Sequence, residues 1–429
     1  MRPGPLTPLT APPAVVLSCL GGAQGDLGVV RALGREGVRV LLVSETGSPG
    51  GAEGARGPAA LSRYAAEHHP VPGFSSDEGT LEVLERIADA QGVACRPVLI
   101  PTADPDLDFV TRHRARLERR FALVSPKADL VGACLDKARF GTWAAAQGLP
   151  VPATWHPQSL QEVQALAGEA RFPLILKPVY PPAWAREPLY TLVRGLKALT
   201  VDDPAALEQV YRRVAALDPH LVMQDFVPGR DDRLVSLHAY LDGNSRPLAW
   251  FTGRKLRTYP VDAGIGCLVE SVSLPALVEE SLAALQRVGW TGFALMQFKH
   301  DPRDGRFKLL EINPRTSSWN LLAAACGVNL PYVAYRDAIG LPPAAAPAQR
   351  EGVRYLYLEN DWRAFRDYRR RGELSAWQWL ASLHRVRVCQ VLALDDPMPF
   401  VHDVAARVAG AARALGRKAG VLRAASARG

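Results

Sequence analysis

Short apolar runs and amphipathic stretches alternate along the first third of the chain. Ala14–Leu20 and Val38–Val43 read as buried strands, and Pro97–Pro101 and Phe121–Val124 as further short ones. From about Asp26 to Gly37 the apolar positions recur at helical spacing. Such repetition predicts an open parallel α/β sheet. Beyond it, a helical pattern opens at Asp136-Lys137 and ends near Gly148, and apolar strands are predicted at Phe172–Lys177, Leu221–Asp225 and Pro247–Phe251. Two apolar runs then flank Asp304-Gly305, a strong hairpin signal. Helices are predicted near 361–371 and 374–384, and Trp362, Trp377 and Trp379 among them read as core or interface.

The hairpin carries the candidate chemistry. Residues 293–315 read FALMQFKHDPRDGRFKLLEINPR. With Gln297 opposite Glu311, strand alternation puts Ala294, Met296, Phe298, Leu310 and Ile312 on one face. Gln297, Lys299, Glu311 and Asn313 take the other. One carboxylate and two amides form a hard oxygen set, which suits Mg²⁺ completed by substrate phosphates and suits Zn²⁺ poorly. Arg315 lies on the same side, a fixed cation for a phosphoryl group or an oxyanion.

The run Glu311-Ile-Asn313-Pro-Arg315 closely resembles the metal-binding strand of the ATP-grasp superfamily. The resemblance covers residues from about 134 to 340. It implies that Glu311 and Asn313 bind Mg²⁺ (Mn²⁺ being the substitute), that Arg315 contacts the reacting phosphate, and that Gln297 stands where relatives often carry Glu. It further implies that Lys137 and Lys177 reach the ATP phosphates. The stretch Leu221–Asp232 becomes the adenine hinge, with Gln224, a carbonyl from Asp225, an N–H from Val227, and Asp231 or Asp232 on the ribose. Lys255 lies in the basic stretch Gly253–Pro260, which reads equally as an anion-neutralising segment or an exposed loop. One departure stands out: where many relatives carry a Gly-rich flap, residues 180–197 hold Gly195 alone, so backbone cradling of phosphate is unsupported.

The implied architecture is an N-terminal open parallel α/β domain (1–133) and an α+β ATP-grasp domain with antiparallel sheets (134–340, lid about 140–225, large part about 226–340). A mainly helical extension (341–429) follows. The implied reaction is that of the carboxylate–amine ligases, a group that includes D-aspartate ligase-like enzymes. A carboxylate is phosphorylated by ATP and an amine displaces phosphate. Small-molecule acids and amines, an amino acid or peptide precursor among them, are the implied substrates. Two alternatives stay open: a bicarbonate-phosphorylating enzyme like carbamoyl phosphate synthetase, and a non-catalytic ATP-binding regulator.

Composition changes this picture little. The 429 residues are 48% hydrophobic and 22% charged, with a net charge of +8 that favours anionic partners. The basic residues are spread along the chain with no nucleic-acid motif, so no nucleic acid is expected. Six cysteines without a CxxC pair argue against a zinc site or disulfide scaffold and for a cytoplasmic protein. The Pro-rich start reads as neither signal peptide nor membrane span, and no transmembrane segment is expected. Gly21-Gly22-x-x-Gly25-x-x-Gly28 lacks the dinucleotide-binding spacing and reads as a tight strand–helix turn. The Ala- and Arg-rich tail 401–429 reads as a solvated helix, with peripheral membrane contact as the alternative. A homodimer is compatible with the family.

Overall fold

The computed structural model describes residues 11–18, 25–46, 57–72, 76–92, 95–179, 183–184, 186–194, 196, 198–262, 264–342 and 348–408. Five strands, β1 (Ala14–Ser18), β2 (Val40–Thr46), β3 (Ala65–Pro72), β4 (Val98–Pro101) and β5 (Ala122–Leu123), form the first sheet in the order β3-β2-β1-β4-β5. All of its pairings are parallel. The central strands β1 and β4 are buried at every position, as continuous apolar runs in a two-face-covered parallel sheet require. β3 is an addition to the sequence-based expectation: its sequence AAEHHPVP lacks an apolar run because it lies at the sheet edge, where Pro is tolerated.

A small antiparallel sheet follows, β6 (Thr154–Trp155), β7 (Leu174–Pro178), β8 (Leu199–Val201) and β9 (Leu221–Asp225), in the order β6-β9-β7-β8. Its core is Leu174, Leu176, Leu221 and Met223 packed with Leu207 and Tyr211 from the helix Pro204–Ala215.

The largest sheet holds seven strands: β10 (Leu234–Leu241), β11 (Pro247–Tyr259), β12 (Ile265–Ser271), β13 (Gly292–His300), β14 (Phe307–Asn313), β15 (Arg354–Leu356) and β16 (Val386–Cys389). Their order is β14-β13-β10-β11-β12-β15-β16, antiparallel but for the β15–β16 pair. The C-terminal extension, mainly helical among its described residues, also lengthens this sheet through β15 and β16. Its helices Leu358–Arg370 and Ala376–Ser382 flank the sheet, with Phe365 and Trp379 stacked at 4.9 Å. Trp377 is 78% exposed and belongs to no core.

The extension also fastens the N-terminal domain. Arg31, fully buried in the helix Asp26–Gly34, pairs with Asp396 at 2.9 Å, and Asp396 also accepts from Ser62 Oγ (2.7 Å) and Arg63 N (2.9 Å). Asp395 beside it binds Arg35 and Tyr64, each at 2.8 Å, and its carboxyl is held far below the usual range chiefly by the Arg35 hydrogen bond. Among the described residues no helix is long and apolar enough to cross a membrane, and the five described cysteines are free.

Candidate active site

The hairpin β13–β14 forms in the expected register, with Gln297 opposite Glu311 and Leu295 opposite Asn313. Gly305 takes φ 71° in the turn, and its N–H donates to Asp301 O at 2.8 Å. One position differs. A β-bulge after Gln297 moves Leu309 into register with Phe298, so Leu309, not Leu310, joins Ala294, Met296, Phe298 and Ile312 in the core. Leu310 is half-buried and lines a cavity instead.

Across the sheet the polar side chains of the opposite face fall in two rows. Glu311, Gln297, Ser236 and Gly253 pair in sequence along one row; Asn313, Leu295, His238 and Phe251 pair along the next. Glu311 Oε1 accepts from the Gln297 amide and from Asn313 Nδ2 (3.0 Å). Lys255 Nζ donates to Gln297 Oε1 at 3.0 Å. Burial pushes the Lys255 ammonium below its usual range, and the charges of Glu311 and Asp231 offset part of that. Glycines at 253 and 266 admit the ring of Trp319; a Cβ on Gly266 would stand 2.8 Å from Trp319 Cζ2.

The segment Gly253–Pro260 is not a loop. β11 runs on through Tyr259, which separates its basic residues by their pairings. Lys255 faces the oxygen cluster, Arg254 pairs with Glu270, and Arg257 is buried against Asp361 at 2.7 Å. Arg315 reaches the N-terminal domain, its Nε 2.5 Å from Asp104 Oδ1, with Nη2 also 3.5 Å from Asn313 Oδ1. Asp104 begins a helix directly after β4, at the carboxyl edge of the parallel sheet, where ligands gather in such folds. Its side chain was not anticipated from sequence; the turn Thr102-Ala-Asp104 after a buried strand was the available signal.

Two cavities meet at this wall. The larger, about 350 Å³, lies between the N-terminal domain and the large sheet, lined by Thr102, Asp104, Ser236, His238, Lys255 and Arg315 among others. The smaller, about 80 Å³, lies toward the small sheet and includes Thr154, Lys177, Gln224 and Leu310. Glu311, Asn313 and Asp104 line both. Lys177 Nζ donates to Gln224 Oε1 (3.1 Å), and Gln224 Nε2 donates to Thr154 Oγ1 (2.9 Å).

The hinge residues sort differently from expectation. Asp225 closes β9, its N–H donating to Ala153 O at 2.9 Å and its carboxyl raised by burial. Val227 is buried in the loop that follows. Asp231 is corrected: it is 3% exposed, and its Oδ2 accepts from Thr258 N (2.9 Å), Thr258 Oγ1 (2.6 Å) and the Tyr368 hydroxyl. It ties β11 to the extension helix and is not placed to bind a ribose. Asp232 is exposed. The side chain of Lys137, on the helix Lys137–Ala146, and the residues Gly21 and Gly22 lie outside what is described.

Comparisons with known proteins bear on the family and the fold. Residues 264–361 match the family model described as ATP-grasp in the biosynthetic pathway with Ter operon. The D-aspartate ligase of Enterococcus faecium (strain Aus0004) is 28% identical over 275 residues, which are 61% of this chain and 63% of that protein. Two solved structures share the fold over 80% of this chain at 16% identity. One is the biotin carboxylase domain of Hydrogenobacter thermophilus 2-oxoglutarate carboxylase in complex with MgADP and bicarbonate (TM-score 0.57, 73% of that chain). The other is the L-amino acid ligase of Bacillus licheniformis (TM-score 0.55, 79% of that chain). Residues 264–361 thus match an ATP-grasp family, and the fold over most of the chain is shared with these two structures. It spans somewhat under two thirds of the D-aspartate ligase's length.

Proposed function

We propose that the protein is an ATP-dependent ligase that joins a small carboxylate to an amine through an acylphosphate, releasing ADP and phosphate. The observation that carries this reading is the shared wall. Glu311 and Asn313 line both cavities, so a nucleotide entering on the Lys177 side and an acid entering on the Arg315 side would meet at one oxygen cluster. The donor set of Glu311, Asn313 and Gln297, hard oxygens with one carboxylate, fits Mg²⁺ or Mn²⁺ completed by phosphate oxygens. When bound, the metal would act as a Lewis acid that offsets phosphate charge.

The chain's own residues do the rest. Lys177 offers a cation toward the nucleotide, and Asp232 is the remaining ribose candidate of the pair. Lys255 and Arg315 orient the acid, so that a carboxylate oxygen attacks the γ-phosphorus as its bond to the ADP oxygen breaks. The amine nitrogen then attacks the acyl carbon, phosphate departs, and a proton leaves the nitrogen. Arg315 stabilises the oxyanion on the way. Amino acids or peptide precursors are the substrates in view, in keeping with the ligases to which the chain is similar.

Glu311→Ala tests the reading. Acid-dependent ADP release should fall by about 100-fold or more, and Mn²⁺ binding in the presence of ATP, followed by electron paramagnetic resonance, should weaken while circular dichroism is unchanged. Near-normal turnover would sink the mechanism. ADP release dependent on bicarbonate alone would favour the carboxylase-like alternative.

A further inference from the structure

Among the described residues, two polar atoms in the larger cavity have no partner. His238 is 3% exposed and Thr316 2% exposed, both line the cavity, and His238 Nε2 and Thr316 Oγ1 make no hydrogen bond. Buried polar groups are normally satisfied, and leaving one unpaired costs free energy comparable to a lost hydrogen bond. Neither atom is explained by packing. The His238 ring lies against Phe251 and Trp319 at centroid distances of 5.7 and 5.1 Å, an apolar setting that gives its edge nothing to bind.

Their place in the rows says what they are near. His238 stands across from Leu295, one row from the Gln297–Glu311 row. Two residues along a strand advance about 7 Å. Beyond His238 the same face enters the apolar cluster of Tyr240, Phe251, Phe293 and Trp319. The ring therefore stands one row in from the Gln297–Glu311 row, on the side toward which Asn313 and Arg315 run, while Lys255 lies on the other side of that row. The cavity volume of about 350 Å³ lies at the small end of the range for small-molecule sites, so it admits a small acid. The imidazole is neutral, since burial and then the Lys255 charge push its pKa down to about 3. A neutral ring nitrogen and a threonine hydroxyl can each accept from an N–H or O–H, and neither offers charge to an anion.

Resting on the ligase reading above, we infer that His238 and Thr316 are specificity-determining positioning residues. They hold an amino or hydroxyl substituent of the small acid whose carboxylate lies at Lys255 and Arg315. A plain aliphatic acid would leave both atoms unpaired and would be rejected.

The test needs no knowledge of the natural amine. Hydroxylamine attacks the acyl carbon of an acylphosphate, phosphate leaves, a proton is lost, and the hydroxamate is read by its ferric complex. Full-length protein with MgATP and hydroxylamine is given matched acids: D- and L-alanine, lactate and propionate; D- and L-aspartate, malate and succinate; D- and L-glutamate, 2-hydroxyglutarate and glutarate. The expected result is that an amino or hydroxy acid exceeds its unsubstituted partner in kcat/KM by about tenfold or more. The amino and hydroxy arms identify the substituent. In His238→Phe and, independently, Thr316→Val the preference should fall to within about threefold, through the KM of the acid, with the KM for ATP unchanged. His238→Gln, which keeps a hydrogen-bonding end, should recover part of it. Hydroxamate formed equally from substituted and plain acids, or a preference untouched in both variants, overturns the inference and leaves the ligase reading standing. ATP binding with no hydroxamate and no ADP from any acid overturns both.

Discussion

Replacing Asp396 by Ala removes the carboxylate that neutralises Arg31 at the junction of the extension and the N-terminal domain. Both side chains are essentially inaccessible, at 0% and 1% of their surface. Among the described residues the guanidinium would keep hydrogen bonds to carbonyls alone: Val391 O at 2.8 Å, Asp396 O at 2.9 Å and Gln390 O at 3.4 Å. Breaking one partner of a buried pair costs about 3–5 kcal/mol, because a charge is left without compensation. Ser62 Oγ and Arg63 N lose their acceptor as well, each worth about 1–3 kcal/mol if it stays dry. These losses share one carboxylate and do not add, so the expected destabilisation is about 4 kcal/mol. Urea unfolding followed by circular dichroism, extrapolated linearly, measures it. The double variant Arg31→Met/Asp396→Leu removes both charges and should be markedly less destabilised than Asp396→Ala. A loss below about 1 kcal/mol for Asp396→Ala, or a double variant no better than the single, would refute the account.

Two further outcomes follow from the site. Asp104→Asn breaks the pair with Arg315, whose side chains are 22% and 44% exposed; stability should change by less than about 1 kcal/mol, while acid-dependent ADP release drops about tenfold as Arg315 loses its orientation. Lys255 has its folded-state pKa below the ordinary 10.5, so in the interval between the two the unfolded chain binds more protons and stability rises with pH. Urea titrations of wild type and Lys255→Met over the pH range below 10.5 should show that rise in the first only; parallel curves would refute it.

The hairpin was the most legible part of the sequence because two independent signals agreed, the Asp304-Gly305 turn and the alternation ending in Glu311 and Asn313. The bulge was not legible, since Leu309 and Leu310 are both apolar and alternation cannot say which turns inward. Asp231 and Asp232 are chemically identical neighbours, and only the distant Thr258 and Tyr368 distinguish the buried one from the exposed one. Lys255 was read within a basic stretch, but the partners that silence Arg254 and Arg257, Glu270 and Asp361, lie 16 and 104 residues away. His238 carried no local signal at all. Its interest arises from strands meeting in three dimensions, with Leu295 on one side and Phe251 on the other.

The Arg31–Asp396 contact also has a bearing on biosynthesis. The two residues are separated by 365 positions. A ribosome delivers the N-terminal sheet and its helix long before Asp396 emerges, and domains generally begin to fold as they appear. During that interval Arg31 must stay hydrated or sit against a competing anion, so the first domain completed in sequence is the last to be sealed. Chains released before Asp395 and Asp396 would carry the whole wall of Gln297, Glu311, Asn313 and Arg315 yet leave the N-terminal half of the larger cavity loosely held. The stretch around Asp396 thus couples synthesis past that point to a firmly assembled cleft.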